Sequence, residues 1–152
     1  MAAKFLSPKS NQGFTLLEVL LTIAIIGILA GAAAPVFQAL QNRNDLDIAL
    51  TTTAQSLRRA QLLAQAVAND TTWGVKVRPG FIIIFQGPNF INRNTNFDEE
   101  FTMSSSLTFS GVSEFVFSKF SGLPQNPGTL ILTTTNNESK SLNLNAKGTI
   151  SY

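Results

Sequence analysis

The order of hydrophobic and polar positions changes twice along the chain. From Phe14 to Phe37 the sequence reads FTLLEVLLTIAIIGILAGAAAPVF, with Glu18 as its one charge. A helix rises about 1.5 Å per residue, so this run is long enough to cross a hydrocarbon layer of about 30 Å. Beyond it, Leu40, Leu46, Leu50, Leu57, Ala60, Leu63, Ala64 and Val67 recur mostly at spacings of three, four or seven. That is one apolar stripe on a helix, with Arg43, Asp45, Arg58 and Arg59 on the other face. Pro35 is the one interior breaker and predicts a kink or local loosening. Asn69-Asp70 predicts the helix end. The pattern gives a helix whose first half is apolar all round and whose second half must lie against something.

From Thr71 the period becomes two. Trp73, Val75 and Val77 share a face, Pro79-Gly80 makes a turn, and Phe81 to Phe85 is the return strand. The Asn-rich stretch from Gly87 to Glu100 predicts a long loop. Further short strands are expected at Leu107–Phe109, Glu114–Phe117, Thr129–Thr134, Lys140–Leu144 and Thr149–Tyr152, separated by Gly, Pro and Asn turns. The fold class is α+β: a long N-terminal transmembrane and amphipathic helix packed on a C-terminal antiparallel β-sheet head. Its expected divisions are a short polar, basic start at 1–13, a membrane-length apolar helix at 14–37, the amphipathic half at 38–70 and the β-rich head at 71–152. Phe81, Phe85, Phe109, Phe115, Phe117 and Phe120 are expected to fill the interface of sheet and helix.

Composition narrows the chemistry. The chain has 152 residues, 13% of them charged, with no Cys and no His. That excludes thiol nucleophiles, disulfides, His bases and His/Cys metal sites. No cofactor and no metal are expected, and no catalytic arrangement of Asp, Glu, Ser, Lys or Tyr stands out. Asp98-Glu99-Glu100 has the oxygen ligands a Ca²⁺ ion takes, but three adjacent acids do not define a site. Arg58, Arg59, Lys76, Arg78 and Arg93 are candidates for a basic patch, and more often such residues form a solvated face or ion pairs. Removing residues 1–13 takes Lys4 and Lys9 from the 11 basic residues and leaves as many basic as acidic groups. A polyanionic partner is not called for.

The segment Lys9-Ser10-Asn11-Gln12-Gly13-Phe14-Thr15-Leu16-Leu17-Glu18 carries the sharpest signal. A basic leader ends in Gly, Phe and Thr-Leu follow, Glu stands at the fifth place after the Gly, and an apolar run with Pro35 comes next. This resembles the processing site of type IV prepilins and type II secretion pseudopilins. The resemblance implies cleavage by prepilin peptidase between Gly13 and Phe14, with N-methylation of Phe14. It implies that Glu18 pairs with the terminal amine of a neighbouring subunit during filament assembly, and that Pro35 lies near a segment that loosens on packing. The partners implied are the peptidase, other pilin or pseudopilin subunits, an inner-membrane assembly platform and the membrane itself. The two Lys residues before the apolar run predict a cytoplasmic N-terminus. The implied location is the inner membrane, with the head outside the cytoplasm, and then an extracytoplasmic filament. Gly27 and Gly31 form a G-x-x-x-G pattern suited to close helix packing.

The head is loosely similar to H-type minor pseudopilins and related minor pilins through Leu57-Arg58-Arg59-Ala60-Gln61, Trp73-Gly74 and Leu144-Asn145-Ala146-Lys147-Gly148-Thr149-Ile150. Some of those minor pilins bind DNA through basic residues after the last Gly. Here Thr149, Ile150, Ser151 and Tyr152 stand there, which argues against nucleic acid. The functional expectation is a structural pilin-type subunit and not an enzyme. The rivals are a tip subunit that binds a surface, DNA or a glycan, and a secreted β protein cut near Ala30–Ala34 as by an ordinary signal peptidase.

Overall fold

A computed structural model describes residues 13–152; within that range the side chains of residues 32–35 are outside the description. The leader residues before Gly13, with Lys4 and Lys9, therefore lie outside the described residues, and so do the side-chain surroundings of Pro35. Helix α1 spans Leu16–Gln65, and its assignment continues through Pro35. The chain divides into two compact units, Met1–Phe37 and Gln38–Tyr152.

In the second unit, α1 is followed by a short 3₁₀ turn at Ala68–Asp70 and by eight strands. These are β1 (Trp73–Arg78), β2 (Phe81–Gln86), β3 (Asn94–Thr102), β4 (Thr108–Gly111), β5 (Glu114–Phe117), β6 (Gly128–Thr133), β7 (Ser139–Leu144) and β8 (Ile150–Ser151). They form two four-stranded sheets rather than one, ordered β3-β2-β1-β5 and β4-β6-β7-β8, with every pairing antiparallel. The α+β architecture is as expected.

The helix stripe packs as its period requires. Leu46, Ala49, Leu50, Ala54, Leu57, Ala60 and Ala64 are buried in one cluster with Trp73, Val75, Val77, Phe115, Phe117 and the leucines of β6 and β7. Four of those helix residues are alanines, which lets the helix axis sit close to the strands. Thr53 is fully buried, and its hydroxyl donates to the Ala49 carbonyl at 2.7 Å, so its polar group is satisfied within the helix. Leu40, expected in the stripe, is exposed, and Leu63 is half-buried.

The helix also ends sooner than Asn69-Asp70. Val67, Asn69 and Asp70 all adopt positive φ, which helical backbone cannot continue. The freed Ala64 carbonyl finds a tertiary partner, accepting the N–H of Phe120 at 3.1 Å, and the Gln61 side chain donates through Nε2 to Gly122 O at 3.1 Å.

The stretch expected as a loop from Gly87 to Glu100 contains most of β3, the longest strand. It pairs with β2 through Ile82↔Phe101 and Ile84↔Glu99. As an edge strand it is exposed on most of its length, so it lacks the apolar alternation that marks a half-buried strand. Strand β2, in contrast, is buried from Ile82 to Gln86 because both its faces are covered. Of the six Phe residues assigned to the interface, Phe85, Phe115 and Phe117 are fully buried and Phe109 is partly buried. Phe81 and Phe120 are exposed. Phe85 is buried on the sheet face away from the helix, edge-on to Phe90 at 5.6 Å.

Gly74 marks the tightest point of the first sheet. A Cβ there would lie 2.5 Å from the Phe85 ring and 2.6 Å from the Phe115 carbonyl oxygen. The backbone oxygen cannot swing away without breaking the β1–β5 pairing. Gly74→Ala is therefore expected to cost about 1–3 kcal/mol through overpacking, read as a lower denaturant midpoint with an unchanged slope.

Candidate functional site

The candidate site is the N-terminal end of α1, where the chemistry rests on few polar groups. Thr15 stands just before the helix. Its carbonyl accepts the N–H groups of Glu18 (3.1 Å) and Val19 (3.2 Å), and its Oγ1 also accepts the Glu18 N–H at 3.2 Å. Thr15-Leu16-Leu17-Glu18 thus has the spacing of a capping box, of which the Thr half is formed. Thr15 was not singled out as a cap from the sequence, although the T-x-x-E spacing before an apolar run carried that signal.

Thr22, one turn further, donates from Oγ1 to the Glu18 carbonyl at 2.6 Å and lies 2.9 Å from that of Val19. Its hydroxyl is thereby satisfied inside the helix, as an apolar surrounding demands. The Glu18 carboxylate differs. Among the described residues no side chain or backbone group hydrogen-bonds it or pairs with it. It sits in the first helical turn, where the helix dipole favours negative charge.

Around it the surface is apolar. Phe14 is 82% exposed, and Leu16, Leu17, Leu20, Ile23, Ile26 and Ile28 are exposed too. The helix is long and apolar enough to cross a membrane. A Cβ added at Gly27 or Gly31 would meet nothing within 4 Å, so no packing among the described residues requires either glycine. They lie four residues apart and therefore on one helix face.

Several charged groups of the head are taken up in ion pairs. Asp98, Glu99 and Glu100 alternate across β3, so three adjacent acids cannot converge on one ion. Asp98 takes Arg93 Nε at 2.8 Å, and Glu99 takes Arg59 through two bonds of 2.7 and 2.8 Å. Among the described residues no cluster of three His, Cys, Asp or Glu could hold a metal. Of the basic residues, Lys76 pairs with Glu114, Arg58 lies over the Tyr152 ring, and Arg78 and Arg93 both lie over the Phe90 ring. Arg43 and Glu138 pair through bonds of 2.7 to 3.1 Å, and that hydrogen bonding holds the Glu138 carboxyl below its ordinary range. Arg43–Glu138 and Arg59–Glu99 tie α1 to the β-rich head.

The chain matches the prokaryotic N-terminal methylation motif over residues 8–34. Two curated relatives, each a fimbrial protein of Pseudomonas aeruginosa, are 31% identical over 98 residues, covering 59% of this chain and 64% of the relative. The chain thus spans just under two thirds of those relatives' length. The minor pseudopilin EpsH from the Type 2 Secretion System of Vibrio cholerae has a similar fold, with a TM-score of 0.52 at 15% identity, over 70% of this chain and 94% of that one. The fold is pilin-like α+β, with an apolar helical start that carries the motif. The chain is thus similar to type IV pilins and pseudopilins in its N-terminal motif, in part of its sequence and in its fold.

Proposed function

We propose that this protein is a minor pilin or pseudopilin, cut by prepilin peptidase between Gly13 and Phe14, methylated at Phe14, and packed by its apolar helix into a filament. The observation that carries this reading is the Glu18 carboxylate, a charge without a partner among the described residues, in an exposed apolar helix that bears the methylation motif. A charge at the centre of a membrane helix costs roughly 2.5–3.5 kcal/mol, less near the edge, and is kept where it has a partner. The new terminal amine of a neighbouring subunit has the opposite charge, and it is four residues from Glu18 in its own chain. Pairing the two fixes one register between adjacent helices.

On this reading residues 1–13 are the leader, 14–37 the membrane and filament-core helix, 38–70 its amphipathic continuation and 71–152 the head. The subunit waits in the inner membrane with its N-terminus cytoplasmic, and the assembly platform extracts it. Burial of Phe14–Phe37 against other helices drives packing, and Gly27 and Gly31 permit a close approach. Pro35, which offers no N–H, is a point where the ladder opens at small cost. Thr149, Ile150, Ser151 and Tyr152, at the positions where some minor pilins carry basic residues, favour a structural role over DNA capture.

Mass spectrometry of the protein from its native membrane tests the processing step. A mature chain beginning at N-methylated Phe14 is expected. A start near Ala34 or an intact leader would defeat the proposal.

A further inference from the structure

The two sheets offer four edges, and three of them are closed or short among the described residues. Strand β5 is covered: Asn126 Oδ1 accepts the Val116 N–H, the Gln125 N–H donates to the Val116 carbonyl, and Pro124 bridges Phe117. Strand β4 has four residues and β8 has two. The remaining edge is β3, nine residues long and exposed over most of its length.

The register tells which of its backbone groups are free. The Met103 N–H donates to the Gly80 carbonyl at 2.8 Å, and Phe81 lies opposite Thr102. Bonded and non-bonded pairs alternate along an antiparallel ladder, so Phe101 and Glu99 bond back to β2. The N–H groups of Glu100 and Thr102 then point outward, to the open edge. Beside that edge runs an open groove of about 500 Å³. Thr52, Gln55, Ser56 and Arg59 of α1 form one wall, and Glu99 and Phe101 of β3 form the other. An edge strand next to such a groove has both elements of strand-addition recognition: backbone bonds for affinity and a pocket for alternate side chains.

Charge identifies the occupant. Asp98 and Glu99 are neutralised by Arg93 and Arg59, but Glu100 has no ion pair among the described residues. Two β3 strands side by side would bring their acidic runs together, which disfavours a second copy, since like charges on facing strands repel. We propose that β3 is a strand-addition edge for another protein's extended segment, one that alternates basic residues, facing Glu100, with apolar residues that enter the groove over Phe101.

The test uses the full chain in detergent micelles and a labelled nine-residue peptide of alternating valine and lysine. Saturable binding is expected by fluorescence anisotropy, together with slowed hydrogen exchange at the Glu100 and Thr102 amides. Glu100→Pro removes an outward donor and no internal bond, and is expected to weaken binding about tenfold. Glu100→Lys should reverse the preference toward an alternating valine–glutamate peptide. A peptide with N-methylated alternate amides should fail on the unaltered protein, which keeps the test independent of how the variants fold. Equal binding of the N-methylated peptide overturns the proposal, as do protection elsewhere, no binding, or β3–β3 cross-links in the chain without peptide.

Discussion

Glu18→Ala is expected to abolish incorporation of this subunit into filaments while leaving its level in the membrane unchanged. Removing one partner of a buried ion pair typically costs about 3–5 kcal/mol, because the other charge is left uncompensated. At about 1.4 kcal/mol per tenfold, each lost pairing lowers the assembly equilibrium more than a hundredfold. Glu18→Gln keeps the shape and hydrogen-bonding capacity and should fall between the two. Thr15 still caps the helix in either variant, since its Oγ1 accepts a backbone N–H of residue 18 and not the side chain. Helix formation is therefore preserved, and the change is confined to the carboxylate. Immunogold imaging of filaments, with membrane fractionation as the control, reads the outcome. Normal incorporation of Glu18→Ala would sink the pairing proposal.

Phe115→Ala is expected to remove most of the stability of the head. The ring of Phe115, on β5, is fully buried in the main cluster. Deleting a buried Phe to Ala typically costs about 3–5 kcal/mol. Single domains have only about 5–15 kcal/mol in hand, so the variant should unfold at much lower urea, or arrive degraded. Val116→Ala, on the same strand but facing the other way, removes less volume and should cost less. Denaturation followed by Trp73 fluorescence distinguishes them, since Trp73 sits opposite Phe117 in the same sheet. Comparable midpoints for the two variants would show that the helix-facing cluster is not the main source of stability.

The parts of the fold that were legible in the sequence are those with a strong period or special turn chemistry. The helix stripe at Leu46, Leu50, Leu57, Ala60 and Ala64 is buried as its spacing requires. Pro79-Gly80 turns β1 into β2, with Gly80 at φ 81° where a type II turn demands glycine. What was not legible depends on tertiary context. Strand β3 escaped because an edge exposed on both faces needs no apolar alternation. Phe120 escaped because it is held at φ 70°, with its N–H capping α1, and its ring turns out to solvent. The split into two sheets has no local signal, since turns at Ser121-Gly122 and Asn136-Asn137 look alike whether the next strand stays or leaves. At the candidate site, Glu18 was conspicuous because it interrupts an apolar run. Thr15 was read only as part of the motif, and its backbone role emerged with the helix start.

The pairing of α1 with β7 sets the order in which the head is made. Arg43 meets Glu138, 95 residues later, and Asp47 meets Lys140, 93 residues later. The amphipathic half of the helix therefore leaves the ribosome long before the strand that covers it. Contacts this distant in sequence slow folding, because closing the loop costs entropy before any contact repays it. In the interval Leu46, Leu50 and Leu57 are uncovered, next to a membrane-length apolar run in the same helix. A holdase acting at the membrane surface during that interval would protect the newly made subunit from association before its head is complete.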